Sequence, residues 1–505
     1  MPVEFSTFAS YADEIEEASK NTVIIQHVAE LLQETNSDIG IVARFIQGNV
    51  FPNWDERKTN IGPVLMRRSL ADAAEESEET IEEKVAESGD TGQVAQSLTY
   101  PVQQRELGSS SLTVSSLYET LEQIADIEGE GSQKGKVKTI VGLLHKASPS
   151  EAKYITRLLL EELRIGVGEG TLRDALSKLY DVPSSEIARG IMVRNDIEEV
   201  AKAAKNGGRE SVNELGMSIG RPVQPMLAQD GDVESTIDDW SKTISQTKYD
   251  GERIQVHVSP QEDWPEDVSL FSRNCEDHTE SLPDAAEFVR EFMSETEAIH
   301  DGEILAYDPD VLKEEANPEP MEFRKLLQRT GRENNIEEAR DRIALQFRFF
   351  DVLYCEGSST INSSNTDRWS KLSELVPEDA LSEHRVVDSV EEVREHNADA
   401  MSNGHEGLVL KNPTAEYSPG KRGQNWRKIK PDIETLDCVV VGGEWGKGRR
   451  ANTIGTYELA VRDSETGELL DIGNVATGLT DEQLEEFTTM FNSLIEAEDG
   501  KDLSF

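Results

Sequence analysis

The sequence predicts a multidomain α+β protein. It has an all-α N-terminal part, a mixed α/β centre and a small, partial β-barrel at the C-terminal end. Three observations predict this. The chain has 505 residues, which at roughly 150 residues per domain suggests about three domains. Helix-like apolar periodicity runs to about residue 215 and then gives way to short β-rich runs, and a second β-rich group follows Pro431. Hydrophobic residues make up 36%, enough for ordinary cores. The expected divisions are 1–215, 216–432 and 433–505.

The N-terminal part is read from its amphipathic stretches. Val23 to Gln33 repeats apolar side chains at Val23, Ile24, Val28, Leu31 and Leu32. Glu151 to Leu163 does so at Ile155, Leu158, Leu159 and Leu163, with Gly166 as a stop signal. Between them, Ala71 to Asp90 carries nine acidic residues against one lysine and reads, within an insert of about 71–96, as solvated or mobile. The centre shows strand-like runs at Arg253–Val258, Phe347–Tyr354 and Gly407–Lys411, separated by helical stretches such as Asp284–Met293. Leu436–Gly442 and Tyr457–Arg462 read as barrel strands. No internal repeat is evident.

Composition excludes several classes. No apolar run approaches the roughly 18 residues of a membrane span, and the start Met1-Pro2-Val3-Glu4-Phe5 has no signal-peptide pattern. Cys275, Cys355 and Cys438 are scattered, which argues against a disulfide framework or zinc site and for a reducing cytoplasm. The net charge is 51 − 99 = −48. Such acidity normally opposes a nucleic-acid partner. In about 1 M salt, however, the Debye length falls to about 3 Å, so an acid excess spread over the folded segments fits a salt-rich cytoplasm. Local basic clusters then decide the partner. They occur at Lys421, Arg422, Arg427, Lys428 and Lys430, at Lys447, Arg449 and Arg450, and at Arg324, Lys325, Arg329 and Arg332. Such groups position a duplex by its phosphates without reading sequence.

The informative segment is Thr247-Lys248-Tyr249-Asp250-Gly251-Glu252-Arg253. An Asp-Gly turn leads into an alternating strand, its glycine allowing close approach or positive φ. That sets Arg253 near Lys248, and a neighbouring cation with partial burial favours the neutral, attacking amine. Alone, the segment is as compatible with a β-turn flanked by surface charges. It is followed by Ser272-Arg273-Asn274, Asp301-Gly302-Glu303, Phe349-Phe350-Asp351, His405-Glu406-Gly407-Leu408-Val409-Leu410-Lys411 and Asn425-Trp426-Arg427-Lys428-Ile429-Lys430. Lys428 and Lys430 are two apart on a strand and share a face. Gly166-x-Gly168-x-Gly170 follows a helix rather than a strand, so a dinucleotide-binding turn is rejected. His257 and His278 stand in no ligand cluster and read as surface or structural.

In order and spacing these segments resemble the covalent nucleotidyltransferase superfamily. The whole chain, residues 1 to 505, resembles an ATP-dependent DNA ligase of the archaeal and eukaryotic type. Arg164–Gly170 resembles part of that family's DNA-binding domain, and Arg221–Ala228 its entry into the catalytic domain. The resemblance implies a helical DNA-binding domain, a nucleotidyltransferase (adenylation) domain and an OB-fold. It implies ATP as AMP donor, Mg²⁺ or Mn²⁺ as metal, nicked duplex DNA as substrate, and work in DNA replication, repair and recombination. It assigns Lys248 as the catalytic nucleophile that becomes lysyl-AMP. It places Gln246, Arg253, Arg273, Glu303, Phe350, Gln424, Lys428 and Lys430 around the nucleotide, with Phe350 against adenine and Glu303 at the ribose. It gives Glu303 and Glu406 to the metal. A monomer is expected, with a sliding clamp as a family partner for which this sequence shows no motif.

Two positions depart from the family pattern. Many archaeal relatives carry Glu two residues before the lysine, where this chain has Gln246. The family's closing motif, rich in arginine and lysine, does not follow Gly473–Gly478 before Phe505. The expectation is therefore an incomplete barrel or a shortened chain. The alternative function is a non-catalytic or first-step-defective nick-binding protein. An RNA ligase or capping enzyme is a further alternative, and the long helical N-terminal region argues against both.

Overall fold

The computed structural model describes the chain except residues 1–2, 36, 53, 56, 101–110, 130, 261–266, 294–295, 315–317, 333, 421, 431–436, 447–452, 464–465, 496, 500–501 and 505. It divides into two compact units, Met1–Ile81 with Thr91–Pro431 and Glu82–Asp90 with Asp432–Phe505.

From Phe5 to Glu214 the described regular elements are helices. Their core is aromatic. Phe5 stacks on Phe8 at 5.2 Å, and Phe8 meets Phe45 and Tyr154 edge-on at 6.0 and 6.2 Å. The helix Pro149–Leu159 starts with proline and a Ser148/Glu151 capping box. It is buried from Glu151 to Leu159, so its polar side chains need partners. Tyr154 Oη donates to Asp13 at 2.7 Å, Lys153 Nζ to Asp13 at 2.8 Å, and Arg157 to Glu16 at 2.9 Å.

The expected acidic insert is instead helical, at Pro63–Ala74, Glu78–Ser88 and Thr91–Ser97. Leu70, Ile81, Val94 and Ala95 are buried. A sparse apolar stripe suffices to anchor such helices, because each large buried aliphatic side chain contributes roughly 1.5–3 kcal/mol, and the carboxylates occupy the solvent face.

The strands, in chain order, are β1 (Leu227–Asp230), β2 (Thr243–Lys248), β3 (Glu252–Val258), β4 (Val268–Ser272), β5 (Ala298–Tyr307), β6 (Ala344–Cys355), β7 (Ser358–Ser359), β8 (His384–Val387), β9 (Gly407–Lys411), β10 (Arg422–Ile429), β11 (Val439–Trp445), β12 (Ile454–Arg462), β13 (Leu469–Val475), β14 (Ala497–Asp499) and β15 (Asp502–Ser504). They form three five-stranded sheets, ordered β1-β10-β9-β2-β8, β4-β3-β5-β6-β7 and β13-β12-β11-β15-β14. The first two share a core of Met226, Ile299, Leu353, Tyr417 and Trp426, with Phe350 and Val409 against it. Helix Pro283–Phe292 and helix Asn365–Leu375 cover the other face of the second sheet through Val289, Phe347 and Leu372. Helix Val390–Ser402 covers the first through Val393 and Ala400.

Among the described residues the C-terminal sheet has β13 and β14 at its two ends. It packs Ile454, Tyr457 and Leu503 with Leu484 and Phe487 of helix Asp481–Asn492. That helix is started by a Thr480/Gln483 capping box. Among the described residues no helix is long and apolar enough to cross a membrane.

Candidate active site

A cleft of about 810 Å³ opens beside the shared core of the first two sheets. β2 ends the first sheet's contribution at Lys248, three residues of turn follow, and β3 starts the second sheet at Glu252. The turn requires glycine for close approach, not for positive φ: a Cβ on Gly251 would collide with the Ile304 carbonyl oxygen. Gly407 is required for its conformation as well. Its φ is +125°, and a Cβ would meet the Ile429 carbonyl oxygen. These two glycines let β3 close on β5 and β9 close on β10, which brings the cleft's polar residues together.

Gln246, Lys248, Arg253, Arg273, Glu303, Phe350, Glu406, Lys428 and Lys430 all line the cleft. Gln424 lies on β10 but outside that lining; it is exposed, and its carbonyl accepts from Arg427 Nε at 3.3 Å. Lys248 Nζ donates to the Glu406 carboxylate, and the Glu406 backbone N–H donates to the Lys248 carbonyl at 2.9 Å. Burial works to raise Glu406, but the Lys248 hydrogen bond and charge outweigh it, and with Lys430 they hold the carboxyl below its usual range. Asp250 moves the other way, raised by burial and by the charge of Glu406. Glu303 is pushed up to about 7, chiefly by burial, against the pull of Lys248, Arg253 and the Gly251 N–H that it accepts at 3.2 Å.

Arg253 lines the same cleft as Lys248, but its guanidinium is committed to internal partners. Its guanidinium grips Asp301 at 2.6 and 2.9 Å, donates to the Met226 carbonyl at 2.6 Å and reaches Tyr417 Oη at 3.1 Å. Asp301 is 1% exposed, and a buried carboxylate of this kind demands such a partner. The Lys248 amine is paired with a carboxylate, and the other cations lining the cleft are Arg253 on β3, Lys411 on β9, Lys428 on β10, Lys430 just after it and Arg273 after β4. Lys428 Nζ stands 3.1 Å from Asp230, and Arg273 is exposed on the turn after β4.

Several expected DNA-facing cations are internal. Arg329 is 1% exposed and pairs with Asp284. Arg427 pairs with Asp239 at 2.5 Å and lies over the Trp240 ring at 4.6 Å. Arg324 and Lys325 remain exposed. Lys421, Lys447, Arg449 and Arg450 lie outside the described residues.

The sequence reading missed Lys411 as a site residue. It lines the cleft while 2% exposed, with Nζ 4.0 Å over Trp426 and 4.6 Å over Phe350. Burial, with the charges of Arg368 and Arg253, brings it down to about 7 against the pull of Asp351 and Asp301. Its place at the end of the apolar run Gly407–Leu410 was the available signal. Also missed was the support behind β2. Ser245 Oγ lies 2.7 Å from His396 Nδ1, and Thr247 Oγ1 lies 3.4 Å from Nε2. His257 and His278 are both buried: His257 Nδ1 accepts from Gly220 N at 3.0 Å, and His278, which lines the cleft, stands 3.5 Å from Glu252.

Comparison with known proteins shows the family of the chain. A family described as ATP dependent DNA ligase domain matches residues 225–430, and one described as DNA ligase N terminus matches residues 4–177. A DNA ligase of Haloarcula marismortui is 41% identical, the alignment covering 99% of this chain and 90% of the relative. A DNA ligase of Archaeoglobus fulgidus is 38% identical, over 99% of this chain and 89% of the relative. The solved structure named Pmar-Lig_PreS3 shares the fold, with a TM-score of 0.58, 17% identity and coverage of 96% of this chain and 91% of that one. Alignment at this identity over nearly the full length establishes that the chain belongs to the ATP-dependent DNA ligase family.

Proposed function

We propose that Lys248 is the residue through which this ligase seals nicks in duplex DNA, and that the functional divisions are 1–215 for DNA binding, 216–432 for adenylation and 433–505 for an OB-like module. The observation that carries the reading is the position of the Lys248 amine. It stands in the cleft at the end of β2, tethered to Glu406, with an aromatic wall at Phe350 and cations at Lys428 and Lys430.

In the first step Nζ, freed of its proton, bonds to the α-phosphorus of ATP, and the bond to the bridging oxygen breaks, releasing pyrophosphate. A 5′-phosphate oxygen of the nick then bonds to the same phosphorus and the N–P bond breaks, returning the lysine. Finally the 3′-hydroxyl oxygen bonds to the 5′-phosphorus, its proton leaves, and AMP departs. Charge accumulates on phosphate oxygens at each step, and Lys428, Lys430 and Arg273, which line the cleft, offset it in this reading. Phe350 offers its face to adenine, and Arg253 acts from behind by holding Asp301, Met226 and Tyr417 in place.

Among the described residues no group of three or more His, Cys, Asp and Glu is assembled to cage a metal. The cleft offers oxygen donors at Glu303 and Glu406, a set suited to Mg²⁺, which keeps waters and takes substrate phosphate oxygens. Bound there, the ion supplies charge neutralisation at the phosphates.

The test separates the steps. Lys248→Ala is expected to lose sealing of a nicked duplex supplied with ATP and Mg²⁺. It is expected to keep measurable sealing of a nick that already carries a 5′-adenylate. Unimpaired ATP-dependent sealing by the variant contradicts the assignment.

A further inference from the structure

The lining of the cleft includes a residue with a buried polar atom that has no partner. Gln246 lines the cleft and is 3% exposed. Its Oε1 is buried with no hydrogen-bond partner. Its Nε2 is engaged, 3.2 Å from Nδ1 of His384. A side-chain amide has one donor end and one acceptor end, so whatever fixes one end decides what the other offers.

His384 is placed to fix it. Gln246 and His384 are direct partners across the β2–β8 pair. The His384 ring stacks on Trp369 at 4.0 Å and 10°, which restrains its rotation. Burial, together with the charges of Lys411 and His396, lowers this imidazole to about 4. It is thus neutral at working pH, and because the amide's NH₂ end faces Nδ1, the ring proton is assigned to the imidazole Nε2, which leaves Nδ1 a lone-pair acceptor. An acceptor at Nδ1 takes only the NH₂ end of the amide, leaving Oε1 unpaired.

We propose that His384 is a positioning residue for nucleotide choice: by accepting from Gln246 Nε2 it turns Oε1 toward the base, where the acceptor takes the exocyclic amine of adenine and repels the 6-oxo group of guanine. The inference rests on the lysyl-AMP reading above and deepens it. A glutamate at this position would present an acceptor either way round and need no such lock. A glutamine needs one, because the reversed amide would present NH₂ and welcome guanine.

The experiment measures labelling of the full-length protein by α-labelled ATP and GTP, with Mg²⁺ at high salt. His384→Phe keeps a flat ring against Trp369 and removes the acceptor. The ATP-to-GTP ratio of kcat/KM is expected to fall about 10-fold or more, the scale of a lost buried hydrogen bond with a misplaced donor. Adding Gln246→Glu to that variant is expected to restore most of the ratio, a rescue that a merely structural role for His384 would not give.

An unchanged ratio in His384→Phe, or no recovery in the double variant, overturns the lock. The unaltered protein gives a second measurement that needs no variant. The expected rate order is ATP, then purine riboside triphosphate, then inosine triphosphate; inosine triphosphate ahead of purine riboside triphosphate overturns the orientation. If ATP labels nothing in the unaltered protein, the lysyl-AMP reading fails and this inference with it. Labelling by ATP with an unchanged ratio defeats the lock alone.

Discussion

Glu406 holds Lys248 at both ends. Its backbone N–H donates to the Lys248 carbonyl at 2.9 Å while its carboxylate accepts from Nζ. Both residues sit where β2 meets β9, with Lys248 opposite Gly407, so the tether is set by strand pairing rather than by a mobile loop. A carboxylate this close orients the amine and must yield it before attack. Glu406→Ala is expected to slow lysine adenylylation about 10²–10³-fold while leaving far-ultraviolet circular dichroism unchanged, in keeping with loss of a positioning and charge-handling group. Single-turnover labelling with ATP measures it.

Glu303 gives a stability signature with a definite sign. Its folded value near 7 lies above the ordinary 4.5. Between those values the folded chain holds a proton that the unfolded chain has lost, so this group's contribution is full below about pH 4.5 and is lost as pH rises through about 7. Glu303→Gln is expected to raise unfolding stability by about 1–3 kcal/mol at pH 8 and by little at pH 4.5, while reducing adenylylation. Urea unfolding at the two pH values decides it; an equal effect at both contradicts the burial account.

The Arg253–Asp301 pair predicts a structural phenotype at a position expected to serve the nucleotide. Removing the guanidinium strands a carboxylate that is 1% exposed, and breaking a buried pair from one side costs about 3–5 kcal/mol. Arg253→Ala is expected to lose stability on that scale. Loss of adenylylation with stability intact would return Arg253 to the phosphates.

His300 is 1% exposed, has an unpartnered Nδ1, and meets Phe349 at 5.6 Å. Burial holds it down at about 3. Below pH 6.5 the unfolded chain binds a proton that the folded chain refuses, so stability falls with pH through this window. His300→Phe is expected to match or exceed the natural chain at pH 7, because it removes a buried unsatisfied group worth about 1 kcal/mol. Its advantage is expected to grow to on the order of 3 kcal/mol by pH 4, as read by unfolding at each pH.

The expected cleft residues were legible to the extent that chemistry is written locally. Lys248, an Asp-Gly turn and the start of an alternating strand sit within seven residues, and Lys428 with Lys430 follow the two-residue strand period, so each could be placed on a face. What the period does not say is which neighbour a long side chain takes. Arg253 lines the cleft with Lys248, as expected, but β5 runs alongside β3 and its guanidinium takes Asp301, a partner 48 positions away. Arg329 went to Asp284 and Arg427 to Asp239 for the same reason: a buried guanidinium seeks a carboxylate, and the sequence does not list distant neighbours. The segment around Ile81 and Val94 was read from its charge, whereas a few apolar residues at helical spacing carry the fold. Gln246 and His384 illustrate the limit most clearly, since their pairing across β2 and β8 exists only once register is known.

The most direct measurement is to incubate the protein with α-labelled ATP and Mg²⁺ at high salt, denature it, digest it and map the label. The expected result is one acid-labile AMP on the peptide containing Lys248, released by pyrophosphate, transferred to nicked duplex DNA and absent in Lys248→Arg. Label on any other residue, or undiminished labelling of Lys248→Arg, would contradict the account.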